Sequence, residues 1–106
     1  MKKMSLAFLV SGCLLLAGPA LAGDAASGQD MSEDCAMCHG DDGWGDEDNP
    51  AIAGLAETDF IQAMKEYQDG TRKDKSMKRQ VKGLSVDDIA NLAAYYATLE
   101  KAPDEE

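Results

Sequence analysis

Five consecutive residues, Cys35-Ala36-Met37-Cys38-His39, restrict what this chain can fold into more than any other feature. On a helical turn, residues three and four apart share a face. Cys35, Cys38 and His39 therefore present two thiols and an imidazole on one side. The C-x-x-C-H string is the attachment signature for c-type haem, in which each sulfur adds to one haem vinyl group and the imidazole reaches the iron. A small domain buries only a modest share of its surface. The ring would supply apolar core that the chain lacks, which couples its binding to folding.

Other uses of the same residues fit less well. A thioredoxin-like redox pair needs a βαβ setting, and no alternating strand pattern of useful length is present. Structural zinc takes four ligands; outside the N-terminal segment the chain offers only Cys35, Cys38 and His39, with an Asp as a possible fourth. Crowding three of them into five residues gives poor tetrahedral geometry. A Cys35–Cys38 disulfide would close a very small loop and leave His39 without a role.

The chain has 106 residues, and the first 22 read as a secretory signal. Lys2 and Lys3 supply the charged start, residues 6–16 are mostly apolar, and Ala20-Leu21-Ala22 is a small-x-small cleavage site before Gly23. The apolar run is too short for a membrane span. Val10-Ser11-Gly12-Cys13 also resembles a lipobox, but Leu14 to Leu16 continue the apolar run where a lipoprotein would turn polar. Cleavage after Ala22 is the favoured reading over lipidation at Cys13. Residues 23–106 then form one domain, exported to a bacterial periplasm, where the cysteines escape the cytosolic thiol pool.

Removing Lys2 and Lys3 takes the formal charge from −10 to −12. A polyanion of this size does not bind nucleic acid, because that needs lysine and arginine to release counterions from the phosphates. The charge is unevenly spread. Residues 24–69 hold 13 acids against Lys65 alone, whereas residues 70–82 hold six bases against Asp74. Such a basic collar would steer an acidic partner; equally, it could be a solvated loop offsetting the acidic remainder.

The rest reads as helices joined by loops. The spacing predicts a first helix over residues 25–37, with Ala26, Met31 and Cys35 on one side. A Gly- and Asp-rich loop follows over residues 40–49 and ends at Pro50. A second helix starts at Thr58 as N-cap, carries Phe60, Ile61, Met64 and Tyr67, and stops at Gly70. A short helical turn is expected over residues 76–82. Ser85 caps the last helix, with Asp88 three residues on completing a capping box. Val86, Ile89, Ala93 and Tyr96 lie on one of its faces, and its alanines would let another helix approach closely. The fold class is all-α.

His39 is the only histidine, so ligation by two histidines within the chain is excluded, as is a histidine-based catalytic triad. A sixth iron ligand would come from methionine, lysine or a terminal amine. Met37 lies inside the attachment motif, and Met31 and Met64 fall on apolar helical faces, where core packing accounts for them. Met77 stands among Lys73, Asp74, Lys75, Ser76, Lys78 and Arg79. A thioether in that company needs burial, either by a haem face or as a small plug under the loop.

Over residues 27–100 the chain resembles the class I c-type cytochromes. The resemblance rests on Cys35 to Gly40, the Gly40-x-x-Gly43-x-Gly45 loop, Pro50-Ala51-Ile52-Ala53-Gly54, Gly70-Thr71-Arg72, Met77, Leu84-Ser85 and Leu92-Ala93-Ala94-Tyr95-Tyr96-Ala97. It looks similar to the bacterial branch containing the haem domain of flavocytochrome c sulfide dehydrogenases and related dihaem carriers. The resemblance implies a small cytochrome c-like fold around one covalent haem c, with Met77 as distal ligand. It also implies that the Pro50 carbonyl accepts a hydrogen bond from the His39 imidazole, and that the first and last helices cross closely. This chain departs from the dihaem relatives in carrying one motif. The implied activity is electron transfer between redox partners, a donor dehydrogenase and an acceptor oxidase or cytochrome. The alternative is a haem subunit within a sulfur-compound dehydrogenase complex. A peroxidase-like enzyme would need a distal acid–base histidine, and His39 is already used. Trp44 is expected to donate its indole N–H to a haem propionate or to cover the haem edge.

Overall fold

Asp24 starts the first helix. Its carboxylate accepts from the Ala26 N–H at 3.2 Å and from the Ser27 hydroxyl at 2.8 Å, satisfying donors that a helix start leaves open. The computed structural model describes residues 23–103; the targeting segment expected over residues 1–22, with Cys13, lies outside them. Five helices follow in order: α1 (Ala25–Met31), α2 (Glu33–His39), α3 (Glu57–Asp69), α4 (Lys75–Val81) and α5 (Val86–Ala97). No strand occurs among the described residues, as the all-α reading requires. None of these helices is long and apolar enough to cross a membrane.

The single helix expected over residues 25–37 is two. At Ser32 both the backbone N–H and the hydroxyl bond to the Gln29 carbonyl, at 3.1 and 2.7 Å. A serine hydroxyl competes for backbone acceptors in this way and favours a break. Helical bonding then resumes from Ala36 N–H to the Ser32 carbonyl at 2.8 Å. The break separates the α1 segment packed on α5 from the α2 segment that ends on His39.

α1 and α5 make the most extensive helix pair. Met31 and Cys35 do pack against the core, but Ala26 is exposed. The contact residue on α1 is Gly28, which is buried. A Cβ there would collide with the Asn91 carbonyl and stand 2.8 Å from the Tyr95 Cβ. The Asn91 side chain also accepts from the Asp24 N–H at 2.8 Å. Close approach on the α1 side thus depends on one missing methyl group.

α3 begins at Glu57, one residue before the expected Thr58 cap, with Ala56 as N-cap and no side-chain bond to it. Glu57 and Asp59 in its first turn favour the positive helix end instead. It stops at Gly70 as expected. α5 carries the full capping box, Ser85 and Asp88 each accepting from the other's N–H at 3.0 Å. α3, α4 and α5 contribute Phe60, Met64, Val81, Ile89, Leu92, Ala93 and Tyr96 to one apolar cluster. Phe60 and Tyr96 stack with ring centroids 5.7 Å apart.

Gly28→Ala is expected to force α1 off α5 and to lower stability by ~1–3 kcal/mol, as overpacking does. Ser85→Ala should cost about 1 kcal/mol through loss of the cap. Denaturant midpoints of the two haem-loaded variants against the parent check both values, and a Gly28→Ala midpoint equal to the parent's would contradict the packing argument.

Candidate haem-binding site

His39 is the last residue of α2 and is 6% exposed. Its Nδ1 lies 2.7 Å from the Pro50 carbonyl oxygen. A carbonyl can only accept, so the ring proton is assigned to Nδ1 and Nε2 is left with a free lone pair. Among the described residues Nε2 has no hydrogen-bond partner. A buried nitrogen with an open lone pair is the donor a metal centre requires.

The loop between His39 and Pro50 is built to hold that contact. The Gly45 N–H bonds back to the His39 carbonyl at 2.7 Å, and the Asp46 N–H bonds to the Asn49 carbonyl at 2.8 Å. Asp46 Oδ1 accepts from both the Asp48 and Asn49 N–H groups at 2.9 Å. Gly45 has φ +70, and a Cβ there would lie 2.6 Å from the Pro50 carbonyl carbon and oxygen. Only glycine allows both the backbone angle and the approach. The loop's outer turn is tied to α5, since the Gly43 carbonyl accepts from Ile52 and Ala53 and the Gly54 N–H donates to the Tyr96 carbonyl at 2.8 Å.

Cys35 is half-buried against the apolar cluster, whereas Cys38 is exposed, and both thiols are unpaired. Burial pushes the Cys35 thiol up, only partly offset by a hydrogen bond with Tyr96. Burial also drives the Tyr96 phenol well above its ordinary range, with the Cys35 thiol and the Ser32 hydroxyl as its polar neighbours. Ser32, Cys35 and Tyr96 are therefore polar neighbours beside α2. Tyr96 was legible as an apolar-face residue of α5; nothing in its spacing marks its hydroxyl as the neighbour of a haem-attaching sulfur.

Met77 is the third residue of α4, which lies within one residue at each end of the short helical turn expected over residues 76–82. Asp74 caps this helix, accepting from the Met77 N–H at 2.9 Å. The Met77 side chain is half-buried against the same apolar cluster as Cys35. The far end of α4 is closed by Gln68, whose side-chain amide donates to the Val81 and Leu84 carbonyls at 2.8 and 3.1 Å. The Trp44 indole N–H is engaged by the protein rather than left for a propionate. It donates to the Glu100 carbonyl at 2.9 Å, so the ring clamps the end of α5 to the loop.

The structure thus brings Cys35, Cys38, His39 and Pro50 together on α2 and its loop, and places Met77 on a separate, capped helix. The donor set suits haem c: two thiols three residues apart, a buried imidazole with an open Nε2, and a half-buried thioether. No three His, Cys, Asp or Glu side chains converge to hold a metal ion among the described residues. A family model described as Cytochrome c matches residues 25–100. The chain belongs to the cytochrome c family. It is 42% identical over 83 residues to cytochrome c-554(548) of Halomonas halodenitrificans, covering 74% of this chain and 100% of that protein. It is 32% identical over 74 residues to the cytochrome subunit of sulfide dehydrogenase of Chlorobaculum tepidum, covering 70% and 67%. The crystal structure of reduced cytochrome c4 from Pseudomonas stutzeri superposes with a TM-score of 0.71 at 28% identity, over 76% of this chain and 48% of that one. The chain spans about half of that cytochrome c4.

Family membership makes the cofactor covalently bound haem c and the protein an electron-transfer protein rather than an enzyme. The Cys35/Cys38 pair is consistent with its attachment. Gly45→Ala should displace the Pro50 carbonyl and weaken its hold on the His39 ring. A less strongly held Nδ1–H makes the imidazole a poorer donor, so the reduction potential is expected to rise. A redox titration giving the parent potential would mean that this contact does not tune the site.

Proposed function

We propose that this chain is a periplasmic single-electron carrier whose one haem c is held by thioethers from Cys35 and Cys38 and by axial bonds from His39 and Met77. In this reading residues 1–22 direct export, with cleavage after Ala22, and residues 23–106 are the working domain. The observation that carries the proposal is the His39 Nδ1 contact with the Pro50 carbonyl at 2.7 Å, which leaves Nε2 as the only free nitrogen of the only histidine. When bound, the haem supplies a metal that takes up and returns one electron.

The protein's own residues keep that centre unchanged between the two charge states. Pro50 holds the His39 ring through Nδ1 and raises its donor strength. Asp74 fixes the backbone of Met77 by capping α4, and Gln68 fixes the other end of that helix. With His39 and Met77 both holding the group, no position on it would be left for a substrate. A methionine axial ligand raises the reduction potential, which suits passing electrons from a donor dehydrogenase to a terminal oxidase or another cytochrome.

A second reading is favoured by one comparison: the related cytochrome subunit of sulfide dehydrogenase. On that reading the chain is the haem subunit of a sulfur-compound dehydrogenase complex. Gel filtration of a native periplasmic extract, with haem followed alongside flavin or copper absorbance, separates the two. Haem eluting alone at the size of the mature chain supports the carrier, and haem at high mass with a second chromophore supports the subunit.

Met77→Ala is expected to lower the reduction potential and to let cyanide bind the oxidised protein rapidly. A variant that keeps the parent potential and stays closed to cyanide would assign the sixth position to another residue.

A further inference from the structure

α4 has little of its own to keep it in place. It is seven residues long, well below the ~12–15 at which an isolated helix holds together in water. Its charges weaken it further. Lys75 and Arg79 stand four residues apart, as do Lys78 and Lys82, while Lys75 and Lys78, and Arg79 and Lys82, stand three apart. Like charges at these spacings face each other on a helix and destabilise it. Within α4 only Met77 and Val81 reach the apolar cluster, and Lys75, Ser76, Lys78, Arg79 and Gln80 are exposed. The turn that follows lends no packing, since a Cβ on Gly83 would meet nothing within 4 Å.

Three consecutive residues near the end of α3 make up the deficit. Glu66 Oε1 accepts from Arg72 Nε and Nη2 at 3.2 and 3.0 Å, and the Arg72 guanidinium lies 5.5 Å from the Tyr67 ring centre. That contact holds the entry to α4, but the Arg72 and Glu66 side chains are 49% and 25% exposed, and exposed ion pairs contribute little. Gln68 is the stronger anchor. It is half-buried, and its amide nitrogen donates to the Val81 carbonyl at 2.8 Å and the Leu84 carbonyl at 3.1 Å. Both amide protons are thus spent on gripping the two sides of the Lys82-Gly83 turn. Two hydrogen bonds of ordinary strength together amount to roughly ten- to hundredfold in an equilibrium constant.

We propose that Gln68 is the positioning residue for the Met77 thioether: its amide latches α4 shut, and the frequency with which this latch releases sets how often Met77 lets go. The proposal rests on the carrier reading, in which Met77 is an axial ligand, and adds the residue that governs the lifetime of that bond. Release is local, because α4 packs mainly on α3 and can lift while α1 stays on α5. The role is donation rather than bulk or charge. Gln68 lines one shallow groove with Lys75, Lys78, Arg79 and Lys82. A glutamate there would fill the same space and be drawn to the four bases, yet an ionised carboxylate only accepts. It would face two carbonyl oxygens with lone pairs where the amide offers protons.

The test mixes the oxidised, haem-loaded protein with imidazole at about pH 8, where most imidazole is uncharged, and follows loss of the thioether-to-iron charge-transfer absorption. Gln68→Ala and Gln68→Glu should each speed imidazole binding by roughly ten- to hundredfold over the parent. Backbone amides of residues 78–81 should exchange with solvent faster by a similar factor, while those of α5 keep the parent's rates. Ser85→Ala, which weakens the cap of α5 and leaves Gln68 in place, should bind imidazole at near the parent's rate. Arg72→Ala should change that rate far less than either Gln68 variant does. A Gln68→Glu protein that behaves like the parent overturns the proposal, as does a Ser85→Ala protein that binds as fast as Gln68→Ala. Exchange that quickens equally in α4 and α5 overturns it too, since Gln68 would then act on the whole fold. A parent without the thioether absorption would instead sink the axial reading itself, a failure that the potential of Met77→Ala shows independently.

Discussion

The hydrogen bond between the His39 ring and the Pro50 carbonyl is the contact on which the rest of the site depends. It fixes which ring nitrogen carries the proton, and so which one remains a donor. It also sets a condition on the backbone: residues 40–50 must return to within hydrogen-bonding distance of the helix they have just left. The chain meets that condition with a glycine where a side chain would collide with Pro50, and with an aspartate that ties the turn at Asp48 and Asn49. The Gly-Asp composition of this loop therefore reflects the positioning of one imidazole as much as its exposure to solvent.

Helix packing and site geometry meet at Tyr96. Its ring stacks on Phe60 in the core, its carbonyl holds the Gly54 N–H of the loop, and its hydroxyl neighbours Cys35 and Ser32. The crossing of α1 on α5 at Gly28 places the start of α2 next to that ring. The buried cluster is small, with Ala93, Leu92, Ile89, Val81, Met64, Phe60 and Tyr96 as its members. Cys35 and Met77 are only half-buried against that cluster, and a covalently attached haem would add apolar surface there. Attachment and folding are then one process seen from two sides, and a residue such as Gly28 acts on the site through the packing.

Features set by local chemistry were readable in the sequence, while those set by contact across the chain were less so. The capping box of Ser85 and Asp88, the stop at Gly70 and the apolar faces of α3 and α5 follow from spacing and side-chain type within a few residues, except that Val86, expected on the α5 face, stands in the first turn and is exposed. The motif from Cys35 to His39 is local for the same reason. The break at Ser32 was missed because a single mid-helix serine more often points into solvent than to its own carbonyls. The helix over residues 75–81 was foreseen only as a short helical turn because two lysines and an arginine show no strong apolar period, and what sustains α4 is the Asp74 cap and the distant side chain of Gln68. Trp44 was assigned to the cofactor because its partner, the Glu100 carbonyl, lies 56 residues away and has no sequence signature.

The charge distribution follows from how the turns of the chain are built. An excess of carboxylates would ordinarily draw lysines into surface pairs across the molecule. Here two of the five acids of residues 41–48, Asp42 and Asp46, are tied into local turns by accepting backbone N–H groups. Asp74 and Asp69 do the same beside α4. A carboxylate bonded to its own backbone is held in place and is not free to swing toward a distant ammonium group. Turn chemistry in the acidic segments thus leaves the bases of α4 unpaired, and the same choice of residues that builds the loops produces the charge asymmetry of the surface.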